Sequence, residues 1–270
     1  MKKIILKFFE FFGLKILKKK TFDKYLKNSN KLINLDLLKN VNNIENIRLF
    51  LKYLDKSKSQ SQRVAMDLFI LLHLNFKKEG YFVEFGGGNG VINSNTHLME
   101  KEFGWNGIIS EPGKVYYPSI LNNRNCHVEK LCVWSKNDAE LTLVEAPKEI
   151  DPGMSSILDY AYDDKFAYVR KKGKKYQVRS ITLIDLLKKY NAPKIIDYIS
   201  IDTEGSEYEI LKNFDFSEYK FNFITCEHMF IKKKRDDIYD LLTKNGYKRI
   251  SEDLSLQDDW YIPENKFIKY

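Results

Sequence analysis

A glycine-rich turn at residues 84–90 (Glu-Phe-Gly-Gly-Gly-Asn-Gly) offers the clearest chemistry in this sequence. Gly86, Gly88 and Gly90 let the chain bend sharply, and they let its backbone approach a ligand where a Cβ would clash. Apolar residues before the turn predict a strand, and the pattern after it predicts a helix. This arrangement is a common binding site for nucleotide-like ligands, although a plain strand-to-helix connection explains many such turns.

Acidic residues around this turn favour S-adenosylmethionine over a dinucleotide. A dinucleotide fingerprint begun at Gly86 requires its third glycine where Val91 stands. Glu84 ends the first strand, where a carboxylate would repel a pyrophosphate but tolerate the cationic sulfonium and ammonium of adenosylmethionine. Glu111 ends the next predicted strand, 23 residues after Gly88, where a carboxylate accepts hydrogen bonds from both ribose hydroxyls.

A second acidic group follows another apolar strand. The segment Ile-Ser-Ile delivers Asp202 and Glu204 to the carboxyl end of that strand, where open α/β sheets bind their ligands. The next strand ends in Glu227 and His228 at the same edge. We therefore expect these four side chains to meet beside the transferable group. Glu207, and Glu204 in an alternative interpretation, would merely favour the N-terminus of the following helix.

These side chains need a sheet to position them, and the chain alternates strands with helices in the α/β manner. The predicted strands are 80–85, 107–111, 127–133, 141–144, 195–202, 221–227, 247–251 and 259–262. The predicted helices are 65–76, 94–102, 115–123, 183–190, 206–213 and 236–245. The last two strands predict a closing hairpin, and residues 146–176 form an irregular insertion.

The N-terminal part differs in character. Residues 1–56 predict a basic, amphipathic helical extension, and residues 57–270 predict the main domain. Residues 4–17 gather apolar side chains on one side of a helix, with Lys18–Lys20 directly after them, which suits a helix lying on an anionic membrane surface. The alternative is a helix packed on its own domain or on a partner subunit. The lysines stand where a signal peptide requires small residues.

Charge and cysteine content narrow the class of protein. The net charge is +8, yet residues 1–31 hold ten Lys against two acidic residues, so the remainder is neutral. A nucleic-acid enzyme spreads basic charge over its binding face, so we expect no nucleic-acid partner. The three Cys residues form no CxxC pair, which indicates a reducing compartment. We expect a cytoplasmic protein, with peripheral attachment to the inner membrane face as a possibility.

Taken together, these motifs resemble the FkbM family of class I methyltransferases over roughly residues 57–262. The segments that carry the resemblance are FVEFGGGNG (82–90), ISEP (109–112), ITLIDLL (181–187), SIDTEGSEYEIL (200–211) and CEH (226–228). The resemblance implies a Rossmann-like, mostly parallel sheet with a C-terminal antiparallel hairpin. It also implies O-methylation of a hydroxyl on a sugar, glycan or related natural product.

Site residues follow from the motifs and the resemblance together. The expected cofactor is S-adenosylmethionine, held by Glu84, Gly86, Gly88, Asn89, Gly90, Glu111 and Asp202. His228 is the preferred general base because its ordinary pKa suits neutral pH, with Asp202 and Glu204 as further catalytic residues. No obligatory metal is expected, although Asp202 and Glu227 would make a sparse oxygen site for a divalent ion.

Two other functions stay open on the sequence alone. An enzyme with the same cofactor would act on a nitrogen or a protein acceptor. A non-catalytic, membrane-associated binding module would keep the fold without the reaction.

Overall fold

The computed structural model of this chain describes residues 43–54, 59–61 and 65–266. The predicted membrane-contacting segment, residues 1–20, and most of the predicted helical extension lie outside these described residues. Within them, the strands are β1 Tyr81–Phe85, β2 Asn106–Ser110, β3 His127–Glu129, β4 Cys132–Trp134, β5 Glu140–Glu145, β6 Ser156–Ile157, β7 Lys174–Thr182, β8 Ile195–Ile196, β9 Tyr198–Ile201, β10 Lys220–Phe221, β11 Ile224–Glu227, β12 Tyr247–Ile250 and β13 Asp258–Pro263.

The central sheet has seven strands in the order β12-β13-β11-β9-β1-β2-β3. Neighbouring strands from β3 to β11 run parallel, whereas β13 is antiparallel to both β11 and β12. The strand order reverses at β1, because β2 and β3 lie on one side of it and β9 and β11 on the other. The carboxyl ends of β1 and β9 therefore border the crevice where open sheets bind ligands. This topology confirms the predicted Rossmann-like, mostly parallel sheet and its closing antiparallel hairpin.

Burial explains why the inner strands read as continuous apolar runs. All four residues of β9 are buried, as are the last four of β1. Strands covered on both faces of a parallel sheet need apolar side chains in both directions. Polar side chains such as Ser200 and Glu84 are exceptions within these runs, and each has hydrogen-bond partners.

A second sheet was not predicted. Its order is β4-β7-β5-β6, and β5 pairs antiparallel with β7 from Glu140–Arg179 to Glu145–Lys174. The predicted single strand at 127–133 is wrong, because the backbone N–H groups of Lys130 and Leu131 both donate to Glu129 Oε1 and turn the chain there. Much of the insertion predicted as irregular is therefore ordered around this sheet.

The described residues also form helices before and between many of these strands. They are α1 Ile44–Tyr53, α2 Met66–His73, α3 His97–Phe103, α4 Tyr117–Asn123, α5 Ala167–Arg170, α6 Leu183–Lys189, α7 Glu207–Leu211, α8 Lys232–Lys244 and α9 Glu252–Ser255. None of these helices is long and apolar enough to cross a membrane.

Helix α1 belongs to the compact unit, which begins at Asn43. The Phe50 ring lies 5.2 Å from that of Phe69 in α2, and the Tyr53 ring lies 5.2 Å from that of Phe103 in α3. These contacts place residues 43–54, which the sequence assigned to the extension, against the domain that carries the glycine turn.

Candidate active site

The glycine turn and the second acidic motif meet through the backbone. Gly86, directly after β1, has a φ of +76°, and a Cβ built on it would lie 2.0 Å from the carbonyl oxygen of Asp202. Only glycine fits this position, because both the left-handed backbone and the close carbonyl exclude a side chain. The two motifs that the sequence suggested separately therefore form one site at the carboxyl ends of β1 and β9.

Glu111 lies directly after β2 and faces the glycine turn. Its Oε2 accepts a hydrogen bond from Gly88 N at 2.8 Å, and its Oε1 accepts one from Gly113 N at 2.7 Å. Burial raises the pKa of this carboxyl to about 7, although both backbone hydrogen bonds favour its ionised form. Glu111 borders the cleft beside Gly86 and Gly88, and its binding of ribose hydroxyls stays a prediction.

Glu84 does not border this cleft. Its carboxylate is 2% exposed and accepts hydrogen bonds from Ser94 Oγ at 2.9 Å, Asn95 N at 2.6 Å and Thr96 Oγ1 at 2.6 Å. The buried guanidinium of Arg124 lies 3.6 Å away. The structure thus gives Glu84 contacts to the segment that follows the turn, where it orders the entry into α3, rather than a direct position in the cleft.

Asn89 and Gly90 also shape the turn. Asn89 Oδ1 accepts hydrogen bonds from Val91 N at 2.9 Å and Ile92 N at 2.8 Å, which closes the loop on itself. Gly90 O accepts one from Arg124 Nη1 at 3.1 Å. Of the seven predicted cofactor residues, the cleft is lined by Gly86, Gly88 and Glu111.

Two further side chains line the cleft, and the sequence did not predict either of them. The Tyr116 ring faces Gly88, at 3.7 Å from the place of a Cβ there, and burial raises the pKa of its phenol well above the ordinary value. Ser156, from the insertion, donates from Oγ to the carbonyl oxygen of Glu204 at 2.7 Å. Tyr116 follows Glu111 by five residues, and this position directly after the acidic strand end was the available signal.

Three carboxylates gather at the edge formed by β9 and β11. Asp202, Glu204 and Glu227 each bring one oxygen to within 4.8 Å of the others. Asp202 is partly exposed, whereas Glu204 and Glu227 are buried. Burial, and then the neighbouring Asp202 carboxylate, raise the pKa of both Glu204 and Glu227 well above the usual range. Asp202 is therefore the member of this carboxylate cluster with the best access to an acceptor.

Arg170, from the insertion, reaches this cluster. Its side chain is fully buried, and its Nη2 donates to Glu204 Oε2 at 2.6 Å. Its Nη1 also bonds both oxygens of Asp164, at 2.8 and 2.7 Å. The lysines around it are exposed, so the basic run 170–175 is a surface run only in part. In the sequence, the one sign of this burial is that a single arginine precedes a run of lysines. Arginine suits buried ion pairs better than lysine does.

His228 does not have the geometry of a general base. Its Nδ1 accepts a hydrogen bond from Phe230 N at 3.0 Å, which places the ring proton on Nε2, 3.7 Å from Asp259 Oδ1. The residue is 1% exposed, and burial lowers its pKa below the ordinary value although Asp259 acts in the opposite direction. The ring is therefore neutral at pH 7, with its basic lone pair already engaged.

The residues present fit the predicted cofactor. Gly86 and Gly88 form a backbone cradle without side chains at the edge of the cleft, and Glu111 offers a carboxylate for the ribose beside it. For a divalent ion, Asp202, Glu204 and Glu227 could each bring one oxygen, although one Glu204 oxygen already accepts from Arg170 and one Glu227 oxygen from Gln257. Independence from a metal stays a prediction.

Comparisons with solved structures returned distant likenesses. One is the precorrin-6y C5,15-methyltransferase from Geobacter metallireducens GS-15, with 10% identity, 78% of this chain and 92% of that chain covered, and a TM-score of 0.40. A second is the delta-N METTL16 MTase domain, with 13% identity, coverage of 81% and 94%, and a TM-score of 0.38. A third is a human methyltransferase 10 domain containing protein, with 12% identity, coverage of 81% and 79%, and a TM-score of 0.31.

Sequence comparison gives the family. No curated protein matches the chain. The model of the methyltransferase FkbM domain matches residues 84–249, a span that contains the glycine turn, Glu111 and the carboxylate cluster. Since this match covers more than half of the chain, the chain belongs to the FkbM methyltransferase family.

Proposed function

We propose that this methyltransferase uses S-adenosylmethionine to methylate a hydroxyl of a sugar, glycan or related natural product. The observation that carries the proposal is the contact between Gly86 and the Asp202 carbonyl, because it joins the cofactor cradle to the carboxylate cluster. A methyl group delivered from the cradle would therefore arrive beside carboxylates that accept hydrogen bonds from hydroxyls. Carboxylates in such a position both orient a hydroxyl and take its proton.

The reaction needs an acceptor oxygen in line with the methyl carbon and the sulfur. Bound adenosylmethionine supplies the electrophilic methyl group; the carbon–oxygen bond forms as the carbon–sulfur bond breaks. Gly86, Gly88 and Glu111 hold the donor in place, and this positioning supplies much of the acceleration. Asp202 accepts the hydroxyl proton, and we propose it as the base in place of His228. Glu204 and Glu227 are buried beside Asp202 and complete the cluster.

An exposed aromatic residue shortly after Glu227 supports a sugar acceptor. Phe230 lies three residues after Glu227 and is 62% exposed, with a left-handed φ of +59°. Such strained residues persist where the surrounding structure holds them, and they gather at ligand sites. Lys165 Nζ stands 5.8 Å from the centroid of this ring. An exposed aromatic ring that follows a carboxylate so closely along the chain suits a ligand with C–H faces and hydroxyl edges, which is the chemistry of a sugar.

A transfer assay tests the proposal. The full-length chain is incubated with adenosylmethionine labelled in its methyl group and with saccharides extracted from a strain that lacks the gene. We expect label in a sugar methyl ether, and none with the Asp202→Asn variant. Label on nitrogen or on protein would favour the alternative acceptors instead, and failure of calorimetry to detect adenosylmethionine binding would favour a non-catalytic module.

The same proposal includes a membrane contact through residues 1–20, where clustered lysines follow an apolar segment. Basic residues next to apolar side chains bind anionic bilayers by charge and burial together. Such a contact would bring the cytoplasmic enzyme to saccharides linked to lipid. Co-sedimentation with vesicles of phosphatidylglycerol checks this: the full chain should sediment and a chain without residues 1–20 should not. Equal sedimentation would contradict it.

A further inference from the structure

Arg170 is a charged group that the proposed reaction does not yet use. It is fully buried, and the guanidinium is always ionised in proteins. Burying an ion costs several kcal/mol unless partners and hydrogen bonds compensate for it. The Arg170 side chain has both, because Nε donates to the Met154 carbonyl at 2.6 Å while the Nη atoms bond Ala161 O, Asp164 and Glu204.

The pairing with Asp164 is already enough to neutralise this charge. Asp164 is six residues away on the same insertion and accepts two bonds from Nη1. The remaining terminal nitrogen, Nη2, reaches out of the insertion to Glu204 at 2.6 Å. The contact with Glu204 is therefore not needed to neutralise the Arg170 charge, because Asp164 already does so. It places a positive charge against a carboxylate that otherwise faces the negative charge of Asp202, within a cluster that Glu227 completes.

Glu204 is held by the insertion at its backbone as well. Its φ is +56°, and its carbonyl oxygen accepts the hydrogen bond from Ser156 Oγ. The next residue, Gly205, has a φ of +136° and leaves no room for a side chain, because Tyr160 stands 2.5 Å from the place of a Cβ. A non-glycine residue in the left-handed region stores backbone strain. Two segments of the insertion therefore fix one strained residue of the carboxylate cluster.

We propose that Arg170 is a positioning residue for methyl transfer, which holds the Glu204 carboxylate against the repulsion of Asp202 so that the cluster keeps one fixed arrangement beside the acceptor. This inference rests on the proposed function. Arg170 acts through Glu204 and does not touch the reacting atoms. The insertion then belongs to the acceptor site in spite of its position outside the central sheet.

A double-mutant cycle separates this role from general stabilisation. The assay is methyl transfer by the full-length chain to the saccharide fraction described above, and the variants are Arg170→Lys, Glu204→Gln and the pair. Lysine keeps the charge but cannot reach Asp164, Met154 O and Glu204 together. We expect each single variant to lower kcat roughly tenfold or more, with KM for adenosylmethionine unchanged, and the pair to be no worse than Glu204→Gln.

Independent, multiplicative losses in the pair would overturn the proposal, and so would a rise in KM for adenosylmethionine with kcat unchanged. Arg179→Lys is the matched control, because Arg179 pairs with Asp138 at the surface and should leave kcat unaltered. If Arg170→Lys fails to fold, Arg170→Met combined with Glu204→Gln and Asp164→Asn removes the buried charge and both carboxylates that pair with it. A kcat equal to that of Glu204→Gln combined with Asp164→Asn supports the proposal, and a lower kcat contradicts it. Absence of transfer by the wild-type chain would instead refute the proposed function, a distinct result.

Chemical rescue gives a second readout. Added guanidinium ion at millimolar concentration should restore part of the kcat lost in Arg170→Ala, because it can occupy the space of the missing head group. It should restore none of the kcat lost in Glu204→Gln, because that variant lacks the carboxylate that the guanidinium ion would pair with. Equal effects of guanidinium on both variants would contradict a specific role through Glu204.

Discussion

The carbonyl oxygen of Asp202 stands 2.0 Å from the place that a Cβ on Gly86 would take. An alanine at Gly86 must therefore displace the end of β9 and, with it, the Asp202 side chain. Both candidate halves of the active site depend on this one backbone contact.

Gly86→Ala should weaken adenosylmethionine binding by roughly tenfold or more, a loss of about 1.4 kcal/mol, and should also lower stability. Gly246→Ala is the control, because Gly246 has a φ of +83° but nothing within 4 Å of its Cβ position. That variant should lose only about 1 kcal/mol of stability from backbone strain, with unchanged affinity. Calorimetric titration and denaturant unfolding measure the two effects. Equal affinity in Gly86→Ala and wild type would refute the contact's importance.

The pKa of Glu111, about 7, predicts a pH-dependent affinity for the cofactor. In the proposed function, ribose hydroxyls bond the ionised carboxylate, so below pH 7 binding would first have to remove a proton. We expect Kd to rise as the pH falls from 7, by up to tenfold per unit. Glu111→Gln should bind roughly 10- to 100-fold more weakly, with the pH dependence lost.

Glu129→Gln is the control for this titration. Glu129 ends the neighbouring strand β3 but its carboxylate pairs with Lys189 at 2.6 Å. Loss of the Glu129 carboxylate should alter stability. It should leave the Kd for adenosylmethionine, and the pH dependence of that Kd, as in the wild type. A pH-independent wild-type Kd between 5.5 and 8 would contradict the role given to Glu111.

The hydrogen bond from Phe230 N to His228 Nδ1 predicts that the histidine is not the base. An asparagine in its place would offer a side-chain oxygen to the same N–H, so His228→Asn should keep most of kcat. Asp202→Asn should lose a factor of about 10²–10⁴, the usual contribution of a general base. Initial rates at saturating cofactor decide between them. A loss in His228→Asn as large as that in Asp202→Asn would restore the histidine as base.

How much of this site the sequence could predict depends on the range of the interactions. The glycine turn and Glu111 follow from local order along the chain, so their places at the ends of β1 and β2 could be predicted. The pairing of β4 with β7 joins Cys132 to Ser180, and nothing in either segment announces it. The orientation of the His228 ring could not be predicted from the sequence either. His228 lies at the predicted edge, but the left-handed residues after it direct the Phe230 N–H onto its ring.

Stability should also depend on pH through Asp67, which lies fully buried in α2. Ser59 Oγ and Ser61 Oγ donate to its Oδ1 at 2.6 and 3.1 Å, yet burial raises its pKa from 3.8 to about 6. The folded chain thus binds this proton more tightly than the unfolded chain. Below pH 4 the Asp67 carboxyl makes its full contribution to the free energy of unfolding. That contribution falls by about 3 kcal/mol as the pH rises through 6.

Asp67→Asn should remove that fall, so the variant gains stability relative to wild type between pH 4 and pH 7. Urea unfolding at both pH values measures the difference. Asp138→Asn is the control, because that carboxylate is 73% exposed and should give the same difference at both pH values. A wild-type advantage that grows with pH would contradict the raised pKa.

The central claim is that the carboxylate cluster beside the glycine turn directs a methyl group to a sugar hydroxyl. Methyl-ether analysis of glycans tests it most directly, in a strain that lacks the gene and in the same strain carrying either the wild-type chain or Asp202→Asn. We predict one methyl ether that is absent from the deletion strain, restored by the wild-type chain and not restored by the variant. Identical methyl ethers in all three strains would contradict the account.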